Sequence, residues 1–127
     1  MDQIANLIIS LKNGGMAGKE SVVLPYSNIK YQIATLLKQK GFIAEVAKKG
    51  KKNRYMEITL RYEDKSPVIN DVKRISKSSR RIYMQAKEIF PYRQGAGLTV
   101  FSTPKGILGD MDARKSKVGG EALFSIW

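Results

Sequence analysis

The stretch "SNIKYQIATLLKQKGFIAEVAKKGKKNRYMEITLRY", residues 27–62, changes its hydrophobic period partway along. Ile29, Ile33 and Leu37 recur at helical spacing, and Gly41 then marks the end of a helix. Towards Tyr62 the residues alternate between apolar and polar, as in a strand with one buried face. We therefore predict a helix followed by a hairpin around "KKGKKN", which favours an α+β fold.

The residues before this stretch predict one more helix and one more strand. Asp2 is placed to cap an amphipathic helix that "NGG", 13–15, would end, and "SVVLP", 21–25, follows as a strand. The first lobe is then α-β-α-β-β, and "EDKSP", 63–67, has the charge, Ser and Pro of a linker. We expect an N-terminal α/β lobe over residues 1–66. Its first helix buries Ile4, Leu7, Ile8 and Leu11.

The remainder, residues 67–127, is predicted to be a β-rich lobe with short helices. "DVKRIS" and "RRIYM" are interpreted as a central hairpin around "KSS", and "LTVFS" as a strand that runs into the next loop. Asp110 is placed to cap a short helix, and "GG" at 119–120 precedes a last strand, "EALFSIW".

The charge of the chain predicts a polyanionic partner. Its 23 Lys and Arg against 11 Asp and Glu give +12, and residues 1–70 and 71–127 contribute +6 each. Nucleic acid neutralises such a surface through a sequence-independent electrostatic term. No membrane span is predicted, because the longest apolar run, Ile4–Leu11, is far short of the ~20 residues required. With no basic signal region at the start either, we expect a cytoplasmic protein.

The residue types that are missing exclude much of enzyme chemistry. The chain has neither Cys nor His, which removes disulfides, thiolate and imidazole catalysis and Cys/His zinc sites. Asp110 and Asp112 are two residues apart and point to different helix faces, so they predict no metal site. We expect no cofactor and no small-molecule substrate. A metal-dependent RNA-processing enzyme and a non-specific nucleic-acid binder are the alternatives to consider.

Three basic loops are candidate contact points. "FSTPKGILGD", 101–110, fails the Walker pattern because Lys105 precedes Gly106, which leaves an RNA-docking loop and a simple turn as equal alternatives. "KRISKSSRRIY", 73–83, combines Lys and Arg side chains with the hydroxyl groups of Ser and Tyr, a composition that suits RNA contact. Its Tyr83 is interpreted either as a ring that stacks on an RNA base or as a core residue. "KKGKKNR", 48–54, is a hairpin tip, for which solvation is slightly favoured over phosphate binding.

Taken together, the blocks resemble the bacterial small-subunit ribosomal protein eight family over nearly the whole chain. The family's C-terminal signature occurs as Ser102-Thr103-Pro104-Lys105-Gly106, Asp110, Ala113-Arg114, Gly119-Gly120-Glu121 and Trp127. The opening "DQIANLIISLKN", "PYSNIK" with its Lys30, "LKQKGFI", and "KRIS" with Arg81 and Tyr83 match further family blocks in order.

The resemblance implies a two-lobed, non-catalytic protein. It would be a structural constituent of the small ribosomal subunit that binds the central domain of 16S rRNA directly and helps to organise its assembly. Neighbouring small-subunit ribosomal proteins would be further partners. The resemblance also implies repression of the protein's own operon through a messenger site that mimics the ribosomal one.

The family's RNA-binding residues transfer mainly to the second lobe. One departure is Pro104, which stands where many members have a serine whose hydroxyl assists base recognition, so that contact is not carried over. The RNA-binding residues expected in this chain are Ser102, Thr103, Lys105, Gly106, Gly119, Gly120, Glu121, Tyr83, Arg81, Lys77 and Lys30.

Overall fold

The computed structural model describes residues 2–127 and has an α+β fold, which confirms the predicted class. The chain divides into two compact units, one ending at Asn70 and the other spanning Asp71–Trp127. The elements of the first unit, in chain order, are α1 (Gln3–Met16), β1 (Ser21–Pro25), α2 (Asn28–Gln39), β2 (Ile43–Lys49), β3 (Tyr55–Leu60), β4 (Tyr62–Glu63) and β5 (Ser66–Pro67). Those of the second are β6 (Val72–Arg74), β7 (Tyr83–Met84), β8 (Leu98–Thr103), β9 (Gly106–Gly109), α3 (Asp110–Lys115) and β10 (Gly120–Ile126), with 3₁₀ turns at Ala86–Glu88 and Tyr92–Gly95.

Helix α1 begins as predicted but ends later. Asp2 caps it by accepting a hydrogen bond from the backbone N–H of Ile4 at 2.9 Å. The prediction that "NGG" stops the helix is wrong, because Gly14 and Gly15 are buried inside it and the helix continues to Met16. A Cβ on Gly14 would lie 2.6 Å from the Val22 side chain, so the glycine permits close packing rather than a turn.

The first sheet follows from the alternating pattern of the sequence. Its strand order is β1-β3-β2 with antiparallel pairing, and the alternate residues Met56, Ile58 and Leu60 of β3 are buried. Helix α2 packs on β2, and the Ser27 side chain caps it.

The segment predicted to be a linker is part of the first unit. Strands β4 and β5 pair across Asp64 and Lys65, which both have positive φ, at 50° and 65°. Tight two-residue hairpin turns have this conformation. The Tyr62 hydroxyl donates to the Lys19 carbonyl at 2.5 Å. This hydrogen bond holds the β4–β5 hairpin against the loop that precedes β1, so the segment is not an extended linker.

The second unit is organised around β10. The strand order of its sheet is β6-β10-β8-β9, and β7 also pairs with β10. The predicted central hairpin is therefore wrong in its pairing: β6 and β7 both lie against β10, and between them only Lys77 and Arg80 form an isolated bridge. Ser76 is buried and its hydroxyl accepts from the Ile82 N–H at 2.9 Å, which holds the connection closed.

Asp110 is the first residue of α3 and is buried rather than being its N-cap. It is 4% exposed, and its Oδ2 accepts from the N–H of Tyr92 at 3.1 Å and of Thr99 at 3.2 Å. The N-cap position belongs to Gly109, so the predicted capping role is corrected to that of a buried brace between α3, β8 and the Tyr92 turn. A buried carboxylate is tolerated only with such hydrogen bonds.

Candidate nucleic-acid interface

The pairing along β10 brings six predicted residues of the second unit together: Tyr83, Ser102, Thr103, Gly119, Gly120 and Glu121. Gly120 lies opposite Met84 of β7, while Glu121 lies opposite Tyr83 on one side and Ser102 on the other. A cleft of about 650 Å³ opens over this meeting point. Its lining consists of Tyr83, Met84, Gln85, Ala86, Glu88, Ser102, Thr103, Pro104, Gly119, Gly120 and Glu121.

The two glycines are required by the approach of neighbouring backbone. A Cβ on Gly119 would collide with the carbonyl oxygen of Met84, and one on Gly120 with that of Ser102. The backbone of β7 and β8 therefore comes closer to positions 119 and 120 than a side chain there would allow. At these two positions the lining of the cleft is main chain.

The turn between β8 and β9 uses the hydroxyl of Thr103 internally. Thr103 Oγ1 accepts from the Lys105 N–H at 3.1 Å and donates to the Gly106 carbonyl at 2.8 Å. Gly106 has φ +106°, a conformation that favours glycine. Pro104 and Lys105 form the exposed tip of this turn. The turn is thus held in one shape, and Lys105 directly follows Pro104, which lines the cleft.

Ser102 differs from its neighbour Thr103. It is half-buried and lines the cleft, yet within residues 2–127 its hydroxyl makes no hydrogen bond. A hydroxyl offers one donor and two acceptor positions. Ser102 is therefore the hydroxyl of the pair that remains available to a ligand.

Glu121 is neutralised from within the protein. Its Oε2 lies 3.1 Å from Nη1 of Arg81, and the two side chains are 13% and 57% exposed. Tyr83 lies beside them with 71% exposure, so the interpretation of this residue as core is wrong. The cleft rim therefore presents an aromatic ring and a guanidinium held by a carboxylate.

Arg81, Lys105 and Gly106 are not among the lining residues, and two further predicted residues lie elsewhere. Lys77 is exposed in the short turn that it closes with Arg80. Lys30 lies on α2 in the first unit and is 3% exposed, and this burial lowers the pKa of its ammonium. Neither residue lines the cleft.

Several lining residues were not anticipated from the sequence. Met84, Gln85, Ala86 and Glu88 enter the cleft because β7 pairs with β10 and the chain then turns into a 3₁₀ helix. The Glu88 carboxylate accepts from the Gln85 N–H at 2.9 Å, which shapes that turn. The only signal in the sequence was the glycine pair, whose missing Cβ atoms these residues approach.

Comparisons with known proteins identify the family of the chain. The family model described as ribosomal protein S8 matches residues 2–127. A protein of Dictyoglomus thermophilum named small ribosomal subunit protein uS8 is 39% identical over 127 residues, which cover 99% of this chain and 97% of that protein. The chain belongs to the ribosomal protein S8 family. Proteins of the same name from Ruegeria and Vibrio cholerae are 37% and 39% identical, covering 98% and 94% of their own lengths.

Membership of the S8 family makes the chain a structural ribosomal protein rather than an enzyme. The alternative of a metal-dependent RNA-processing enzyme is thereby rejected. Asp110, one of the acids on which it depended, is engaged by backbone N–H groups, and within residues 2–127 no three acidic side chains gather as a metal site. None of the helices in the same described range has the length and apolar character needed to cross a bilayer.

Proposed function

We propose that this chain is an rRNA-binding constituent of the small ribosomal subunit, in the cytoplasm, and that the second unit carries the specific RNA contact. The names of its relatives support the assignment to the small subunit. The observation that carries the RNA contact is the cleft over β10, where the unbonded Ser102 hydroxyl, the main chain of Gly119 and Gly120 and the exposed Tyr83 ring converge.

The chemistry of the cleft fits irregular RNA. A regular A-form helix hides its base edges in a deep, narrow groove, whereas a bulge or internal loop splays its bases out. Tyr83 offers a face on which one such base stacks, and Ser102 offers a hydrogen bond to a base edge or a 2′-OH. Gly119 and Gly120 line the cleft, and their missing side chains let the backbone of Met84 and Ser102 close against them.

Affinity and specificity come from different groups. Lys105 and Lys77 are exposed cations that release counterions from phosphates, a term that is independent of sequence. Arg81 is held at the cleft rim by Glu121, so its guanidinium is oriented before RNA arrives.

Within the rRNA, the central domain is the segment that we propose as target, with neighbouring small-subunit proteins as further partners.

A second RNA target follows from the same surface. A messenger segment that reproduces the irregular rRNA site would occupy the same cleft, so that free protein would repress its own operon. Binding of the two RNAs would then be mutually exclusive.

The deciding experiment compares an irregular helix from the 16S central domain with a regular duplex of equal length, at one moderate salt concentration. We expect the irregular helix to bind far more tightly and the Ser102, Tyr83 and Gly119 region to be protected. Equal affinity for both RNAs would identify a non-specific binder and reject the proposal.

A further inference from the structure

The first unit carries a concentration of unpaired positive charge that the cleft of the second unit does not use. Residues 48–54, which form the end of β2 and the turn to β3, are all basic apart from Gly50 and Asn53. Lys49 is paired with Glu57 at 2.9 Å, and that hydrogen-bonded carboxylate raises the pKa of Lys49. Lys48, Lys51, Lys52 and Arg54 are exposed and, within residues 2–127, have no acidic partner.

The acids of the same unit do not neutralise this cluster. Glu45 is engaged by Lys38 at 2.6 Å, and Glu63 is engaged by Arg61 at 3.1 Å. Four cations therefore stand together at one end of the sheet. Their mutual repulsion is a cost that an anionic partner removes on binding.

The turn that carries these cations has a defined shape. Gly50 has φ +90°, and a Cβ there would come to 2.5 Å from the Asn53 carbonyl oxygen. Strand pairing continues up to Lys49 opposite Tyr55, directly below the turn. The basic side chains thus project from a closed hairpin end, which limits the backbone entropy lost when they bind.

Two tyrosines lie next to the basic cluster. The Tyr26 N–H donates to the Arg54 carbonyl at 3.1 Å, which places Tyr26 beside the hairpin end. Its ring centroid lies 5.9 Å from that of Tyr31, and Lys48 Nζ lies 5.1 Å from the Tyr26 centroid. The Lys48 ammonium therefore makes a cation–π contact with the Tyr26 ring. We call these residues the tip surface: Lys48, Lys51, Lys52, Arg54, Tyr26 and Tyr31.

The composition of the tip surface favours a nucleic-acid backbone over other anionic partners. Residues 48–54 include no apolar side chain, and Tyr26 and Tyr31 are partly buried with the Lys48 ammonium beside their rings, whereas a surface that inserts into a membrane presents exposed aromatic or aliphatic groups. Protein interfaces likewise have cores depleted in charge. Phosphates are bound well by clustered lysines alone, since counterion release needs no apolar contact.

We propose that the tip surface binds the phosphate backbone of a second RNA segment, separate from the segment held in the cleft of the second unit. The proposal rests on the proposed rRNA-binding function, because it assigns a second contact within the same RNA. Each unit carries a net charge of +6, so each has an electrostatic reason of its own to bind RNA.

Paired charge-removing variants test the contact. In the full chain, Lys51→Gln/Lys52→Gln should lower the slope of log affinity against log salt by about 1.4 to 1.8 on a whole central-domain transcript. Its affinity for the isolated irregular helix should be unchanged. The control Lys19→Gln/Lys65→Gln removes two exposed charges of the same unit outside the tip surface and should leave the slope near wild type. Equal effects of the two pairs would contradict the proposal.

A tethered hydroxyl-radical source locates the RNA and separates the two proposals. The chain has no cysteine, so Asn53→Cys and Ser116→Cys each provide a single attachment point, beside the tip surface and shortly before Gly119. We expect the two tethers to cut different segments of the transcript. Cuts from Ser116 alone would overturn the tip proposal and leave the proposed function standing, and no cuts from either would overturn both. Polyglutamate serves as a probe for an acidic protein partner. If the wild-type chain binds polyglutamate and Lys51→Gln/Lys52→Gln loses that binding while its RNA binding is unchanged, the tip proposal is overturned in favour of an acidic protein partner.

Discussion

The carboxylate of Glu121 and the guanidinium of Arg81 form an ion pair of 3.1 Å at the rim of the cleft, although the residues are separated by a long stretch of sequence. The pair exists because β7 and β10 lie side by side, with Tyr83 opposite Glu121. Glu121 thus places an acid at the proposed RNA site without presenting free negative charge to phosphates. Its effect is to restrict where Arg81 points.

Glu121→Gln should reduce RNA specificity more than stability. The stability cost should be up to about 1 kcal/mol, since Arg81 is more than half exposed and solvent screens the pair. The released Arg81 should raise affinity for a regular duplex, so the ratio of specific to non-specific binding falls. Glu45→Gln, which loosens the exposed pair with Lys38 in the first unit, is the matched control. An unchanged ratio in Glu121→Gln would contradict the positioning role.

The adjacent hydroxyls of Ser102 and Thr103 should separate binding from stability. Ser102→Ala should weaken binding to the irregular helix by roughly 1 to 2 kcal/mol and leave the unfolding temperature unchanged, because its hydroxyl is unbonded in the free protein. Thr103→Val should lower the free energy of unfolding by about 1 kcal/mol, because it removes two hydrogen bonds of the β8–β9 turn. Calorimetry and RNA titration of both variants check this. If Ser102→Ala lowered stability and Thr103→Val weakened RNA binding instead, the assigned roles of the two hydroxyls would be contradicted.

Gly120→Ala should destabilise the second unit. The added methyl would meet the Ser102 carbonyl and the Thr103 methyl, so β8 and β10 must separate, at a cost of about 1 to 3 kcal/mol. Gly18→Ala provides a comparison, since nothing lies within 4 Å there and only its φ of +72° opposes the change. Urea unfolding measures both. If Gly120→Ala retains wild-type stability, the close approach is not what requires glycine.

Lys30→Met should stabilise the protein below alkaline pH. Burial lowers the pKa of Lys30 from its value of 10.5 in the unfolded chain, so the charged form destabilises the folded state. That penalty is present at neutral pH and disappears as pH rises through the folded pKa to the unfolded one. The stability difference from wild type should therefore shrink at high pH. Lys19→Met, at an exposed site, should show no such pH-dependent difference, and a flat difference for Lys30→Met would reject the explanation.

The same Lys30 variant tests a contact that the resemblance implied. If Lys30 reaches RNA, Lys30→Met should weaken RNA binding while it raises stability. If Lys30 serves only the fold of the first unit, RNA affinity should stay at the wild-type value.

Local features were predictable because neighbours in sequence create them. The helical period of α2 and the alternation in β3 describe which side chains face the same way, so the buried residues Ile33 and Ile58 follow from the pattern alone. The caps Asp2 and Ser27 were predictable for the same reason, since each bonds a backbone N–H within three residues. Family membership was likewise contained in the order of motif blocks.

Features that depend on distant chain segments were not predictable. "NGG" has the composition of a helix end, yet Gly14 stays helical because β1 packs against it. The pattern of residues 73–83 is typical of a hairpin, yet β6 and β7 pair with the longer β10 instead of with each other. Asp110 has the position of a cap, yet the N–H groups of Tyr92 and Thr99 reach its carboxylate only after β8 folds against α3.

The sequence by itself determined the α+β class, the family, the basic charge and the motif residues that define the candidate site. Only the tertiary structure decided what those residues do: that Thr103 shapes a turn while Ser102 stays unbonded, that Glu121 holds Arg81, and that Tyr83 is exposed. The physical reason is that charge and periodicity belong to the chain itself. Hydrogen-bond partners and exposure depend on which strands become neighbours, and here that depends on β10 lying between β7 and β8.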